Sequence, residues 1–244
     1  MLLEICTASV GDCVTAETGG ADRVELNSGL ALGGLTPSAG LIREAVQAVS
    51  IPVIVMIRPR DGGFLYSGDE FRVMQQDIDT ALDAGAAGVA FGILLQNGRL
   101  DRERNRLLVQ QAQESESVLH RAFDLTPDPA AALEAAVDCG FSRILTSGQK
   151  PTAAEGAPCL AQLIEQAAGR IEVLPGSGIR PDNVRSLIAM TGCTQVHCSL
   201  SGLSSDPSGA GLDFRNTDGL SPDTYISTDA AKVTAMKTEL DRIV

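Results

Sequence analysis

Short apolar stretches alternate with amphipathic ones along the chain. Four of the apolar stretches share one pattern, a glycine followed four residues later by valine or isoleucine: GADRV at Gly20, GAAGV at Gly85, GFSRI at Gly140 and GCTQV at Gly192. The glycine suits the left-handed residue that ends a helix, and the β-branched residue suits the start of a buried strand. The glycines are 65, 55 and 52 residues apart, so each interval has room for two strand-helix units.

Four further strands are expected halfway between these repeats, at LLEIC, PVIVMIRP, VLHRAFD and IEVLPGSG. Helices are predicted where apolar residues recur at spacings of three and four, as in SAGLIREAVQAV and DEFRVMQQDIDTALDAG. Eight alternating units predict a (β/α)8 TIM barrel, for which about 250 residues is typical. A doubly wound open sheet is the alternative, and the lack of GxGxxG after the first strand disfavours it.

No linker or break in composition divides the chain, so we predict a single domain over residues 1–244. After the eighth strand comes SGLSSDPSGAGLDFRNTDGLSPDTYIST, Ser201 to Thr228, which is rich in serine, glycine and aspartate. Long segments of this kind are usually lids, binding loops or irregular connections. We therefore expect a lid or an irregular loop over residues 201–229, followed by a closing helix near DAAKVTAMKTELDRI.

Side-chain alternation predicts which residues face the barrel axis. If the four repeats are equivalent, Val24, Val89, Ile144 and Val196 face the helices. Glu25, Ala90, Leu145 and His197 then face the axis, with Asn27, Gly92, Ser147 and Ser199 one layer nearer the carboxyl end. Barrel enzymes carry their active sites at that end.

Six ionisable side chains are predicted to meet there as a catalytic group: Glu4, Glu25, Arg58, His120, Asp124 and His197. Closely spaced charges push pKa values apart, which suits general acid-base chemistry. A mutually satisfied network of buried salt bridges is the alternative. Arg121 falls on the opposite face of the fifth strand unless a bulge redirects it.

An anion- or substrate-binding group is predicted from the loops after strands six, seven and eight: Ser147, Gln149, Gly176, Ser177, Gly178 and Ser199. In LPGSGIRPDN, the two glycines free the backbone to approach a ligand closely. A simple tight turn is the alternative. Arg58 is the candidate to clamp the anion.

Composition and net charge limit the kinds of partner and the location that we expect for this protein. The net charge of -12 argues against nucleic acid or an anionic membrane as a partner, because both need many basic side chains. No run of 18 apolar residues and no basic leader occur, so we expect a soluble, cytoplasmic protein. The six cysteines form no CxxC spacing, and we interpret them as reduced thiols.

Several sequence blocks together resemble the CutC family, which is named for copper homeostasis. They are LEIC, GADRVEL, GGLTPS, HRAFD, RILTSGQ, GSGIR, FRN and a region around IRPR, and they extend over nearly the whole chain. The resemblance implies a barrel that is usually cytoplasmic and often a homodimer. It also implies a part in copper tolerance, with Cu(I) binding.

Cu(I) favours thiolate and thioether ligands, and Cys6 with His197 is the most plausible sulfur-nitrogen pair here. Some relatives carry a second cysteine after RVEL, where this chain has Asn27. Two functions follow: a copper-homeostasis protein that binds Cu(I) through Cys6, or a barrel enzyme that applies acid-base chemistry to a small anionic or phosphorylated metabolite. A structural or interaction module is a third class.

Overall fold

Eight parallel strands form a barrel in this computed structural model, which describes residues 1–209, 221 and 223–243. β1 pairs with both β2 and β8, and a parallel bridge between Gly176 and His197 joins β7 to β8. This topology confirms the predicted (β/α)8 barrel and excludes the open sheet. The strands are β1 Leu2–Thr7, β2 Arg23–Leu26, β3 Val53–Met56, β4 Gly88–Phe91, β5 Glu116–Leu119, β6 Arg143–Thr146, β7 Glu172–Pro175 and β8 Gln195–Cys198.

Helices surround the strands, and their starts follow the capping residues of the sequence. The Ser38 hydroxyl accepts a hydrogen bond from the Leu41 amide at the start of α2. Ser67 and Glu70 form a reciprocal capping box at the start of α3. The helices are α1 Val10–Thr18, α2 Ala39–Ala48, α3 Gly68–Asp83, α4 Arg102–Ala112, α5 Pro129–Cys139, α6 Ala157–Ala167, α7 Val184–Thr191 and α8 Ala230–Asp241.

The repeated glycine pattern marks the turns between helices and strands as predicted. Gly20, Gly85, Gly140 and Gly192 all have positive φ angles, from 70° to 96°. A side chain would be strained in that conformation, so glycine permits the chain to reverse from the helix into β2, β4, β6 or β8. The repeat therefore sets the positions of the even-numbered strands.

Apolar side chains pack on both sides of the strands. The outer core, between strands and helices, includes Val24, Val89, Ile144 and Val196, as alternation predicts. A smaller cluster fills the barrel interior: Ile54, Met56, Ala90, Val118, Leu145 and Leu174. The other inward positions of the strands are largely polar, and they lie at the two ends of the barrel.

Only the first two residues of the predicted strand VLHRAFD, Val118 and Leu119, lie in a strand. β5 ends at Leu119, and a 3-10 helix follows at Arg121–Leu125. The His120 ring starts this turn because its Nδ1 atom accepts a hydrogen bond from the Ala122 amide. Strand alternation therefore cannot be applied to Arg121 or Asp124.

The segment after β8 is more regular than the irregular loop that we predicted over residues 201–229. β9 (Ser201–Ser205) pairs antiparallel with β10 (Thr224–Thr228), and a short 3-10 helix occupies Pro207–Gly209. The Thr228 amide donates to Asp12 Oδ1 at 2.6 Å, which fixes the end of β10 to α1. Residues 210–220 and 222 lie outside the described part of the chain, and the lid role stays a prediction.

Candidate functional site

A cavity of about 790 Å³ lies at the carboxyl end of the barrel. Seven residues predicted for the site line it: Cys6, Glu25, His120, Ser177, Gly178, His197 and Ser199. Six others are not among the described residues that line it: Glu4, Arg58, Asp124, Ser147, Gln149 and Gly176. The cavity is therefore in the expected place, with part of the expected wall.

Cys6, Glu25 and His197 converge at the floor of the cavity. The strand register causes this convergence, since Cys6 lies opposite Glu25 and His197 lies opposite Glu4. One ligand atom from each of the three (the Cys6 sulfur, a Glu25 carboxylate oxygen and a His197 ring nitrogen) lies within 4.8 Å of the other two. We call these three residues the floor cluster.

Glu4 lies behind His197 and fixes its ring. The His197 Nδ1 atom is 2.7 Å from Glu4 Oε1, and the other Glu4 oxygen pairs with the Arg23 guanidinium. Burial raises the pKa of Glu4, but the hydrogen bond and charge of His197, together with Arg23, outweigh it and lower this pKa to about 2. Glu4 is therefore a permanent carboxylate near neutral pH.

The surroundings of the floor cluster raise the pKa values of all three of its side chains, so each favours its protonated form. Burial lowers the pKa of His197, but contact with Cys6 and the negative charges of Glu25 and Glu4 outweigh it, so this pKa lies well above its usual value. Burial is the largest cause that raises the pKa of both Cys6 and Glu25. Without a bound ligand, the cluster holds an imidazolium and a thiol, beside a carboxyl group that retains its proton to higher pH than usual.

Asn27 links two members of the floor cluster. Its Nδ2 atom donates to Glu25 Oε2 at 2.9 Å and lies 3.4 Å from the Cys6 sulfur. The Asn27 amide packs on the backbone of Gly34, where a Cβ atom would clash with Asn27 Oδ1. Gly34 therefore fixes the position of Asn27, which in turn orients the Glu25 carboxylate.

His120 is held in a different state from His197. Burial is the main cause that lowers the pKa of His120 to about 3, and the positive charge of Arg58 adds to it. The ring packs on Phe64 with 4.8 Å between centroids. His120 is thus neutral at the pH where His197 is charged, and its predicted acid-base role stays a prediction.

Arg58 lies behind the cavity wall and is nearly fully buried. Its guanidinium donates at 2.8 Å to the carbonyl oxygens of Leu32, Gly34 and Gly62. These contacts hold together the loops after β2 and β3. Arg58 is thus bonded to the backbone of two loops, and the anion-clamp role that the sequence predicts stays a prediction.

Asp124 also lies outside the floor cluster. It accepts hydrogen bonds from the amides of Ser147 and Gln149, and it pairs with Arg121 at 2.8 Å. The Gln149 side chain donates to the Thr126 carbonyl at 2.6 Å. Asp124, Ser147 and Gln149 therefore join the turn after β5 to the loop after β6.

Because β5 ends at Leu119, Arg121 reaches the cavity wall, which side-chain alternation did not predict.

Sequence reasoning missed the charged network at the amino-terminal end of the barrel. Arg143 pairs with Glu116 and Glu172 at 2.7 Å, and Gln195 hydrogen-bonds to both Glu172 and Arg23. The repeat contained a signal for it. Arg23, Arg143 and Gln195 all occupy the third position after the repeated glycine, two residues before the inward-facing Glu25, Leu145 and His197.

The fold and site define a (β/α)8 barrel protein with a buried thiol, imidazole and carboxylate cluster at its carboxyl end. Residues 1–202 match the CutC family, so the chain belongs to this family. Among the described residues, every helix falls short of the length and apolar content needed to cross a bilayer.

Curated relatives and a solved structure agree with this membership. The CutC protein of Rhizobium meliloti is 46% identical over 98% of this chain and 96% of its own. The copper homeostasis protein cutC homolog of Homo sapiens is 47% identical over 88% of this chain and 78% of its own. The crystal structure of a CutC protein from Streptococcus agalactiae superposes with a TM-score of 0.78 at 35% identity, covering 82% of this chain and 98% of that one.

Proposed function

We propose that the protein acts in copper homeostasis, with Cu(I) bound as its cargo by Cys6 and His197. The observation that carries this proposal is the floor cluster, in which a sulfur and an imidazole lie within 4.8 Å of each other beside an open cavity. Human and mouse relatives at 47% identity bear the name copper homeostasis protein. A thiolate is a preferred ligand of Cu(I), and an imidazole nitrogen is an acceptable second one.

The contact between Glu4 and His197 supports this placement. Because Nδ1 of His197 is bonded to Glu4 Oε1, Nε2 is the ring nitrogen left for a metal. Metal-binding histidines usually donate the other ring N–H to a carboxylate, a backbone carbonyl or water, and such a partner orients the ring and raises its basicity. The donor set nevertheless includes a single thiol in the floor cluster, so moderate affinity is expected.

Titration of reduced protein with Cu(I) in the presence of a chromophoric competitor tests the proposal. One Cu(I) per chain is expected, and the Cys6→Ser variant should lose it. Cys159→Ser is the matched control, because Cys159 lies on α6 and is not among the described residues lining the cavity. Unchanged binding by Cys6→Ser would refute the proposed ligand.

The size of the cavity favours a second candidate function. A volume of about 790 Å³ is far more than one ion needs and is in the range of small-molecule sites. Glu25 and His197 have raised pKa values at its floor, and Arg121, Arg180 and Lys232 stand in its wall. These features support an enzyme that applies acid-base chemistry to a small anionic or phosphorylated metabolite.

Native mass spectrometry of protein exposed to a cell metabolite extract tests this second candidate. Retention of an anionic metabolite by the wild type, and its loss from Glu25→Gln, is the expected result. Glu165→Gln is the control, since Glu165 lies on the outer helix α6. Equal retention by both variants would count against an acid-base site at Glu25.

Two further predictions belong to this proposal, a cytoplasmic location and a homodimeric state. Exposed apolar side chains on neighbouring helices support dimerisation through the outside of the barrel. Val73 on α3 and Leu107 on α4 are 44% and 46% exposed. Light scattering of the purified protein would measure the mass, and a monomer at micromolar concentration would contradict the dimer.

A further inference from the structure

The three ligand atoms of the floor cluster are of three kinds: a thiol sulfur, an imidazole nitrogen and a carboxylate oxygen. Cu(I) has little use for a carboxylate, whereas borderline divalent ions such as Zn²⁺ accept all three. If Cys6 and His197 bind Cu(I) as cargo, the Glu25 carboxylate has no role in coordinating the ion. A site that used all three side chains would explain why a carboxylate is buried there.

We propose that Cys6, Glu25 and His197 form a divalent-metal site of the zinc type, with a fourth coordination position that opens into the cavity. This inference rests on the proposed function in so far as it places a metal on Cys6 and His197. It goes beyond that function in the class of ion and in the role of Glu25.

The charges around the floor cluster match a dication. A metal-bound site has three negative groups, the Cys6 thiolate and the carboxylates of Glu25 and Glu4, while the nearby Arg23 guanidinium contributes one positive charge. A dication brings this buried set to neutrality with Glu25 ionised and able to coordinate, whereas a monocation does so only if Glu25 keeps its proton. Uncompensated charge is costly in a buried site, and Glu4, Arg23 and Glu25 are each no more than 3% exposed.

Surrounding residues orient the ligands for a metal. Glu4 fixes His197 through Nδ1 at 2.7 Å, and Asn27 donates to Glu25 Oε2 at 2.9 Å. His197 and Glu25 thus each have one polar atom bonded within the protein and a second one left over. Such supporting hydrogen bonds are typical of metal centres, and their loss usually weakens binding.

The size of the cluster is close to that of a metal-bound site. Its ligand atoms lie within 4.8 Å of one another, and neighbouring ligands in a tetrahedral zinc site are separated by roughly 3.5 Å. Because 4.8 Å is the upper limit of these separations, side-chain rotations that move any pair by no more than about 1 Å would complete the site.

An open fourth position is the feature that separates catalytic from structural zinc sites. Here three protein ligands stand at the floor of a cavity of about 790 Å³, so water or an oxygen of a bound molecule has room to be the fourth ligand. A divalent ion at this place would polarise that oxygen. Cys6, Glu25 and His197 themselves would hold the ion and set its position.

Co²⁺ and Zn²⁺ titrations of the reduced protein test the inference without any assay of activity. One Co²⁺ per chain is expected, with the strong absorption of a four-coordinate ion and a sulfur-to-cobalt charge-transfer band. Cys6→Ser should lose that band. Glu25→Gln should weaken Zn²⁺ binding by about tenfold or more and leave Cu(I) binding within about threefold.

Matched controls separate the possible outcomes. Cys159→Ser should behave as the wild type does, and Met56→Leu tests a thioether that also lines the cavity. Zn²⁺ binding that is absent, or insensitive to Glu25→Gln, would overturn the divalent site even if Cu(I) still binds. Zn²⁺ binding without Cu(I) binding would support the inference and refute the copper proposal, and binding of neither ion would refute both.

Discussion

The two ends of the barrel interior both contain buried charged side chains, but they differ in how those charges are satisfied. At the amino-terminal end, Arg143 is paired with two glutamates, and Gln195 connects Glu172 to Arg23. At the carboxyl end, the floor cluster leaves ligand atoms facing a cavity. Buried charge alone therefore does not mark a functional site. A functional site is indicated instead by buried groups that keep an unbonded ligand atom beside an open cavity.

Arg23 connects the two ends, and its removal should have the largest effect on stability. Arg23→Met leaves the buried Glu4 carboxylate without its guanidinium partner, which should cost about 3–5 kcal/mol of unfolding free energy. Chemical denaturation followed by circular dichroism measures this loss, since the chain contains no tryptophan.

Arg170→Met is the matched control for Arg23→Met. Arg170 pairs with Glu134 on the surface, where both side chains are about 45% exposed. Its loss should lower the unfolding free energy far less than Arg23→Met does, because water screens an exposed ion pair. Equal losses of unfolding free energy in the two variants would show that the buried pair of Arg23 and Glu4 contributes no more to stability than an exposed pair does.

His120 should make the protein sensitive to acid. Its pKa is about 3 in the folded chain, against an ordinary value of 6.5, so between these values the unfolded chain binds a proton that the folded chain does not. Stability from this group is therefore complete above pH 6.5 and falls by about 1.4 kcal/mol for each pH unit below it, down to about pH 3. His120→Gln should flatten this part of the curve of stability against pH.

Denaturation midpoints measured between pH 7 and pH 4 for both proteins check this slope. His197 has the opposite shift, with its pKa raised, and so it cannot produce a loss of stability as the pH falls through this range. A variant His120→Gln with the same acid slope as the wild type would assign the effect to other groups.

Asp124 tests whether the turn after β5 belongs to the structure or to the site. Asp124→Asn removes the charge that several hydrogen-bond donors share, which should cost about 1–3 kcal/mol of stability. Binding of Zn²⁺ and Cu(I) should stay unchanged, because Asp124 lies outside the floor cluster. Normal stability with lost binding would instead show that Asp124 belongs to the site.

Periodicity predicted the fold because the glycine repeat and the alternation of side chains depend on local backbone geometry. The same alternation placed Glu25 and His197 on the barrel axis. It failed at Asp124, where the His120 ring bonds to the Ala122 amide and ends the strand. That bond depends on a side-chain conformation, which a pattern of apolar and polar residues does not encode.

The hydrogen-bond partners of Arg58 were also beyond sequence reasoning. Its inward position was predictable from strand alternation, but its partners are carbonyl oxygens of three loop residues. A carbonyl acceptor exists at every residue, so the sequence gives no sign of which ones converge. Loop conformation decides whether an inward arginine faces a ligand or the protein itself.

Asn27 offers the smallest change, one that sharpens the comparison between copper and divalent ions. Its Nδ2 atom lies 3.4 Å from the Cys6 sulfur, so Asn27→Cys should place a second thiol beside the first. Two thiolates suit Cu(I), and its affinity should rise by at least about tenfold, or about 1.4 kcal/mol. The affinity for Zn²⁺ should rise less, because the substitution also removes the hydrogen bond that orients Glu25.

Competition titrations under reducing conditions measure the affinities for both ions, with Asn27→Ser as the control that removes the amide without adding sulfur. If Asn27→Cys and Asn27→Ser bind Cu(I) equally, the position next to Cys6 does not reach the metal, and the site depends on the floor cluster alone.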